Sequence, residues 1–353
     1  MLVAPSPKGL KCGPAMTSLD LDAICVPAPL AGLRRYALDG ALLLFDPRTG
    51  LTAVCDGEET AHLRLRVPRV VQFGITNACN LACAFCSRDE RAGSEWTVES
   101  ALALLRALDA AGTLEVAFGG GEPLAFAGFA RLVERLAAET RLAVSLTTNG
   151  TLLDDALAAR LAPHLGQVRV SAHDGVDLAR TVDTLQRHHA RFGVNYLLTP
   201  ERLASLEARV LEWVARGVRD VLLLAYNGRD RALHLSPDDA QRLGERVAVL
   251  ARALEGRATL KLDICWGERL EAAPRLFGQT PCAAGREFIS VSSERRVSPC
   301  SFHQHSQPFV DAADLLSLLA RERESFAAPS REPGCARAVG YGLSTLDTTL
   351  SLL

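Results

Sequence analysis

Several things are missing from this 353-residue chain. It has no basic start followed by an apolar stretch and a cleavage site, which argues against secretion. It has no apolar run near the roughly 18 to 20 residues that span a bilayer, so membrane insertion is set aside. Charge of one sign is lacking too: 39 basic residues face 41 acidic ones, with no long run of either. That balance argues against a dedicated nucleic-acid or acidic-partner surface. Lysine is scarce, at Lys8, Lys11 and Lys261 only, a bias toward arginine that reads as genomic composition rather than phosphate binding. The expected compartment is therefore the reducing cytoplasm, where ten clustered cysteines more often bind metal or do redox chemistry than form bridges.

The length suits one large α/β domain with an appendage, or two modest domains. Residues 1–28, rich in Pro, Gly, Ser and Ala, read as a disordered tail in which Met16 is an alternative start. In the segment 29–67, ALLLF and LTAVC flank the turn DPRTG and predict a small β-hairpin near 41–55. From residue 68 to 264, short apolar runs of strand length (VVQFGI, LEVAF, LAVSLT, VRVS, VNYLL, VLLLA, LKLDI) alternate with stretches of helical spacing. This β-α repeat implies a parallel sheet with right-handed crossovers, and six or so units favour a partial (β/α)6 TIM-type barrel. Residues 265–340 form a separate extension and 341–353 a C-terminal tail.

The unusual loops all follow strands. "ITNACNLACAFCSRD" sets Cys79, Cys83 and Cys86 after the first, GGGEP (119–123) follows the second, TTNG the third and SAHDG the fourth. In a β/α barrel these loops share the C-terminal mouth, where ligands sit. Four thiolates would satisfy a zinc ion or close off an iron–sulfur cluster. Three leave one iron of a [4Fe–4S] cluster with open coordination sites for a ligand that is not protein.

The order C-x3-C-x2-C, GGGEP and a polar Asn-Gly turn over residues 68–264 resembles the radical S-adenosylmethionine (SAM) superfamily. The resemblance implies that Cys79, Cys83 and Cys86 ligate a [4Fe–4S] cluster whose open iron is chelated by SAM, with Phe85 near the adenine. It implies that Gly120, Gly121, Glu122 and Pro123 receive the SAM ammonium group, and that Thr148 and Asn149 support its carboxylate or ribose. An Asn-Gly turn with no other role is the competing reading. SAHDG is similar to the Ser-x-Asp-Gly turn of peptide-modifying members, with one extra residue between Ser171 and Asp174; ribose contact is the implied role, and His173 is expected to point at substrate or at nothing. Leu198 is expected over the adenine face, or in the core.

Beyond the last strand, Cys265, Cys282, Cys300 and Cys335 remain, with FISVSSERRVSPC reading as a hairpin between Cys282 and Cys300. This resembles the SPASM/twitch extension, and four cysteines suffice for one auxiliary [4Fe–4S] cluster. Where the family hairpin carries Gly this chain has Arg295, so the turn is expected from Ser292, Ser293 and Glu294. His303 or His305 as ligand, a zinc ion on the four thiolates and four independent buried thiols are the alternatives. Cys12, Cys25 and Cys55 are assigned nothing. The resemblance implies an enzyme that cleaves SAM and modifies a ribosomally made peptide or protein, drawing electrons from a donor such as flavodoxin or ferredoxin. A dehydrogenase of a small alcohol or sugar is the first alternative, a non-catalytic iron–sulfur sensor the second.

Overall fold

A computed structural model describes residues 2–3, 21–47, 49–86, 88, 93–228, 230–270, 282–303, 305–328 and 335. The tail expected at the N-terminus lies outside these residues over 4–20, with Cys12 and Met16, as does the tail at 341–353. Among the described residues no helix is long and apolar enough to cross a membrane.

Leu2–Val3 (β1), Arg34–Ala37 (β2), Ala41–Phe45 (β3) and Thr52–Asp56 (β4) form a sheet in the order β1-β4-β3-β2. The expected hairpin is β3–β4, antiparallel with Leu43 opposite Val54. Its turn is closed by the Gly50 N–H donating to the Asp46 carbonyl at 2.8 Å. The hairpin does not stand alone. β2 extends it although Arg-Arg-Tyr-Ala carries little strand signal, because Tyr36, Leu43 and Phe45 share a face that is buried on Leu114 and Ala143. Those two residues lie at the starts of barrel strands, so the sheet packs at the end of the barrel opposite the mouth. Its other face, with Leu42, Leu44 and Ala53, is covered by Leu21, Ile24, Leu30 and Leu33.

Seven parallel strands follow: β5 (Val70–Thr76), β6 (Glu115–Gly120), β7 (Ala143–Thr148), β8 (Gln167–Ser171), β9 (Phe192–Leu198), β10 (Asp220–Ala225) and β11 (Thr259–Leu262). Helices α1 (Val98–Ala111), α2 (Phe129–Glu139), α3 (Asp155–Leu161), α4 (Leu178–Arg187), α5 (Pro200–Leu203), α6 (Leu206–Ala215) and α7 (Pro237–Ala253) connect them. Each strand buries alternate residues, such as Val71, Phe73 and Ile75 of β5, under the helices. Phe73 sits 4.9 Å from Trp96 and 5.6 Å from Phe118, ring centre to ring centre, the aromatic packing that anchors the first strands. α1 starts on a reciprocal Thr97–Ser100 cap and stops at Gly112, whose φ of 113° only glycine adopts cheaply.

The alternate residues that face the barrel interior include a polar set. Arg169 donates to Asn195 at 2.8 Å and to Asp220 at 2.6 Å, and Lys261 donates to Asp220 at 2.6 Å. Burial works to raise the Asp220 pKa, yet Arg169 and Lys261 together hold it below the usual carboxylate range. Ser145 donates to Glu115, whose carboxyl is raised by burial.

The ten-stranded sheet runs β11 to β5 in unbroken sequence order and then continues with β12 (Phe288–Val291), β13 (Arg296–Ser298) and β14 (Gln307–Pro308). It is the expected α/β partial barrel, with no closure among the described residues. The predicted C-terminal hairpin is β12–β13, and β12 lies parallel to β5 with Phe288 opposite Val70. α8 (Ala312–Arg321) and α9 (Arg323–Phe326) cover the outside of this edge through Leu315, Leu318 and Phe326.

Two local expectations need correction. Arg295 takes part in the hairpin turn itself, in the left-handed region at φ 51°, where the family's glycine would sit without strain. Its guanidinium lies 4.6 Å from the Trp96 ring and donates to the Val310 carbonyl at 3.0 Å, contacts that compensate the strain. Cys25, left unassigned in the sequence, is disulfide-bonded.

Candidate functional site

Strands β5 to β8 end at one cavity of about 170 Å³, lined by Cys79, Cys83, Phe85 and Cys86 from the first loop and Gly119 to Glu122 from the second. Thr147, Thr148, Asn149, Ser171 and His173, with Leu81 and Arg88 of the first loop, complete the wall. The cysteine loop is irregular, and its shape is set by side chains. Thr76 Oγ1 accepts from the Ala78 N–H at 3.0 Å, and the Cys86 N–H donates to the Cys83 carbonyl at 3.0 Å. Arg88 reaches back across the loop to the carbonyls of Asn77 and Leu81. No sequence signal marked Arg88, since an arginine in an arginine-rich chain is unremarkable.

The glycine segment is moulded onto this loop. Gly121 N–H donates to the Thr76 carbonyl at 2.6 Å and Glu122 N–H to the Ala78 carbonyl at 2.8 Å. A Cβ on Gly120 would stand 2.5 Å from the Thr76 oxygen, and one on Gly121 2.2 Å from the Ala78 oxygen, so neither position admits a side chain. At Gly119 the same construction meets nothing within 4 Å, because the residue faces the open cavity.

Glu122 is 1% exposed and fully engaged by the protein. Its carboxylate accepts from Thr148 Oγ1 at 2.8 Å, the Asn149 N–H at 2.8 Å and the Leu124 N–H at 3.1 Å. Burial raises its pKa while these donors oppose the rise. Thr148 and Asn149 are thereby tied to the glycine segment. The Asn149 amide also donates to Asn80 Oδ1 at 3.0 Å and stands 3.9 Å from Cys79 Sγ.

Of the residues singled out in the sequence, the cavity brings together Cys79, Cys83, Cys86, Phe85, Gly120, Gly121, Glu122, Thr148, Asn149 and Ser171. It does not gather the rest. Pro123 is buried at the start of a 3-10 turn behind the wall. Leu198 is fully buried in the core with Val194, Leu203 and Leu223, so its core reading prevails. Asp174 faces outward and pairs with Arg202 at 2.6 Å. The extra residue in SAHDG instead puts His173 on the wall, its Nδ1 3.5 Å from Cys83 Sγ and its ring parallel to Phe85 at 5.7 Å. Arg202 lies over the other residue of that pair, 5.1 Å from the Phe85 ring. Burial keeps the His173 pKa below the ordinary imidazole value. Burial, then the neighbouring Cys86 and Cys79, push the Cys83 thiol up.

A second set of thiols assembles at the extension. Burial raises Cys265 well above the ordinary value, and Asp263, Cys282, Cys300 and Cys335 all lie near enough to add to the rise. Cys300 is pushed up to about 11, chiefly by burial, with Cys282 and Cys335 contributing. His305 is turned toward Phe326, ring centres 5.5 Å apart, and its backbone N–H donates to His303 Nδ1 at 3.0 Å.

The donor chemistry fits iron–sulfur clusters at both places. Thiolates are their protein ligands, and among the described residues no three His, Cys, Asp or Glu side chains converge on one metal ion. At the mouth the three thiols border free space left by Gly119; at the extension Cys282, Cys300 and Cys335 lie near enough to Cys265 to raise it.

Residues 73–196 match the model of the radical SAM superfamily, so the chain carries a radical SAM domain, of a family that uses a [4Fe–4S] cluster and SAM. Among curated proteins, a GTP 3',8-cyclase of Streptomyces coelicolor is 36% identical over 144 residues, 37% of this chain and 42% of the relative. A PqqA peptide cyclase of Rhodopseudomonas palustris is 29% identical over 273 residues, 66% of this chain and 67% of the relative. The chain thus spans less than half of the first relative's length and about two thirds of the second's. Streptococcus suis SuiB bound to precursor peptide SuiA superposes with a TM-score of 0.60 at 18% identity, over 72% of this chain and 65% of that one. Native anSMEcpe with bound AdoMet gives 0.58 at 17% identity, over 73% and 82%. These structures share the fold.

Proposed function

On the premise that the chain carries a radical SAM domain, we propose that it is an enzyme that reductively cleaves SAM and takes a hydrogen atom from a ribosomally made peptide or protein. The observation that carries this reading is the joining of Cys79, Cys83 and Cys86 with Gly119 to Glu122 around one cavity at the strand ends. Cys79, Cys83 and Cys86 would hold a [4Fe–4S] cluster there, which would supply the one electron that cleavage of the SAM sulfonium requires.

The chain's own residues do the holding and shaping. Cys79, Cys83 and Cys86 are the cluster ligands. Gly120 and Gly121 let backbone approach the bound amino acid moiety, and Gly119 keeps the space beside it open. Glu122, spent on Thr148, Asn149 and Leu124, fixes the loop and adds negative potential near an ammonium group. Phe85, with His173 and Arg202 against its ring, lies on the wall near the adenine, and Ser171 offers a hydroxyl to the ribose. Cys265, Cys282, Cys300 and Cys335 would hold the auxiliary cluster, which would supply an acceptor for the electron left on the substrate.

The peptide reading is favoured over one with a small-molecule substrate by the extent of similarity. The match to a PqqA peptide cyclase covers 273 residues, whereas those to two GTP 3',8-cyclases cover 144 and 207. The electron donor is a low-potential protein such as flavodoxin or ferredoxin. The test is an anaerobic assay of the iron-loaded protein with dithionite and SAM. Formation of 5′-deoxyadenosine supports the proposal, and none from fully loaded protein supports a binding or sensing role.

A further inference from the structure

We propose that His173 is a positioning residue for the barrel cluster: its Nδ1–H donates to the sulfur of Cys83 and raises the cluster's reduction potential. The inference rests on the reading of Cys79, Cys83 and Cys86 as cluster ligands. Three observations place the imidazole for this task. Its Nδ1 stands 3.5 Å from Cys83 Sγ, within the reach of a hydrogen bond to sulfur. Its ring is held parallel to Phe85, interplanar angle 3°, so it cannot swing freely. Phe85 is in turn backed by Arg202, which is itself fixed by Asp174 at 2.6 Å and by the Leu197 carbonyl at 3.3 Å.

The thiols are not treated alike. Cys79 accepts from the Leu81 N–H at 3.4 Å and has the Asn149 amide at 3.9 Å. The Cys83 sulfur has the His173 contact alone among the hydrogen bonds of the described residues. Hydrogen bonds to the sulfurs are a principal control of iron–sulfur potential, because they stabilise the added negative charge of the reduced state. The residue that lengthens SAHDG between Ser171 and Asp174 thus has a role: it sends Asp174 outward to Arg202 and brings an imidazole N–H to the cluster.

The experiment is a potentiometric titration, followed by electron paramagnetic resonance (EPR) without SAM, of the wild type, His173→Phe and His173→Gln, each with its iron content measured. His173→Phe keeps a ring against Phe85 and loses the donor. Its midpoint is expected to fall by about 59 mV, a tenfold shift in the one-electron equilibrium. His173→Gln, which keeps an N–H, is expected to lie between. Equal shifts in both variants, or none at full iron content, would overturn the proposal in favour of packing alone. A lower SAM affinity with an unmoved potential would overturn it too, making His173 a SAM contact. Pulsed EPR on ¹⁵N-histidine-labelled wild type gives a measurement free of any folding defect in the variants: a weak ¹⁵N coupling on the signal that SAM shifts supports the bond, and its absence contradicts it. A wild type that binds no iron at the barrel fails the cluster reading itself and takes this inference with it.

Discussion

The two cysteine sets are built in opposite ways. Cys79, Cys83 and Cys86 lie within one loop, and the sheet only has to present that loop beside Gly119 to Glu122. Cys265, Cys282, Cys300 and Cys335 are far apart in sequence, and the strand β12 docking on β5 is what carries two of them into place. In the first set Cys86 is exposed while Cys79 and Cys83 are half-buried, as are all four thiols of the second; burial raises Cys83 in the first, and Cys265 and Cys300 in the second, Cys265 well above the ordinary value. An open set with three ligands suits a cluster that must bind a cosubstrate. A closed set with four suits one that only passes electrons.

Substitutions can break this contrast. The largest effect is expected from Cys83→Ala, which removes one ligand of the open set while Val71, Phe73 and Val116 beneath it stay packed. 5′-Deoxyadenosine formation should be lost with the circular dichroism spectrum unchanged. The double variant Cys282→Ala, Cys300→Ala should behave differently. We expect iron content to halve, SAM cleavage without substrate to persist and peptide product to disappear, as read by iron assay and mass spectrometry.

A smaller difference is expected in reactivity. In iron-free protein at pH 8, a thiol with a pKa of about 11 is ionised to roughly one part in a thousand. Iodoacetamide should therefore label exposed Cys86 at least a hundredfold faster than Cys300. Because the Cys300 pKa is raised, its labelling should quicken about tenfold per pH unit above pH 8, and stability should fall once the pH passes the ordinary thiol value. The smallest effect belongs to the hairpin. Arg295→Ala keeps the left-handed strain and loses the Trp96 and Val310 contacts, which should cost about 1 kcal/mol of stability. Arg295→Gly relieves the strain and should recover about that much in denaturant unfolding.

The sequence was most legible where physics is local. The β-α alternation could be read because each strand buries one face under a helix, and the hairpin β3–β4 because Asp-Pro…Gly specifies a turn. The cysteine loop and GGGEP were readable because spacing and the absence of side chains define them. Reading was poorer where direction, not identity, decides. Spacing cannot say that Leu198 points into the core while Ser171 points into the cavity, or that Asp174 leaves the mouth for Arg202. β2 was missed because Tyr36 is buried only by a surface that the barrel supplies. The polar interior of Arg169, Asp220 and Lys261 was equally hidden, since each charge is satisfied by another strand.

The most direct test of two sites with different tasks is the iron content and EPR spectrum of the anaerobically reconstituted chain, measured with and without SAM beside the variant lacking Cys79, Cys83 and Cys86. About eight irons are expected in the wild type and about four in the variant, with SAM altering the wild-type signal and leaving the variant's untouched. About four irons in the wild type together with stoichiometric zinc, or a SAM-sensitive signal in the variant, would contradict the assignment of one open and one closed cluster.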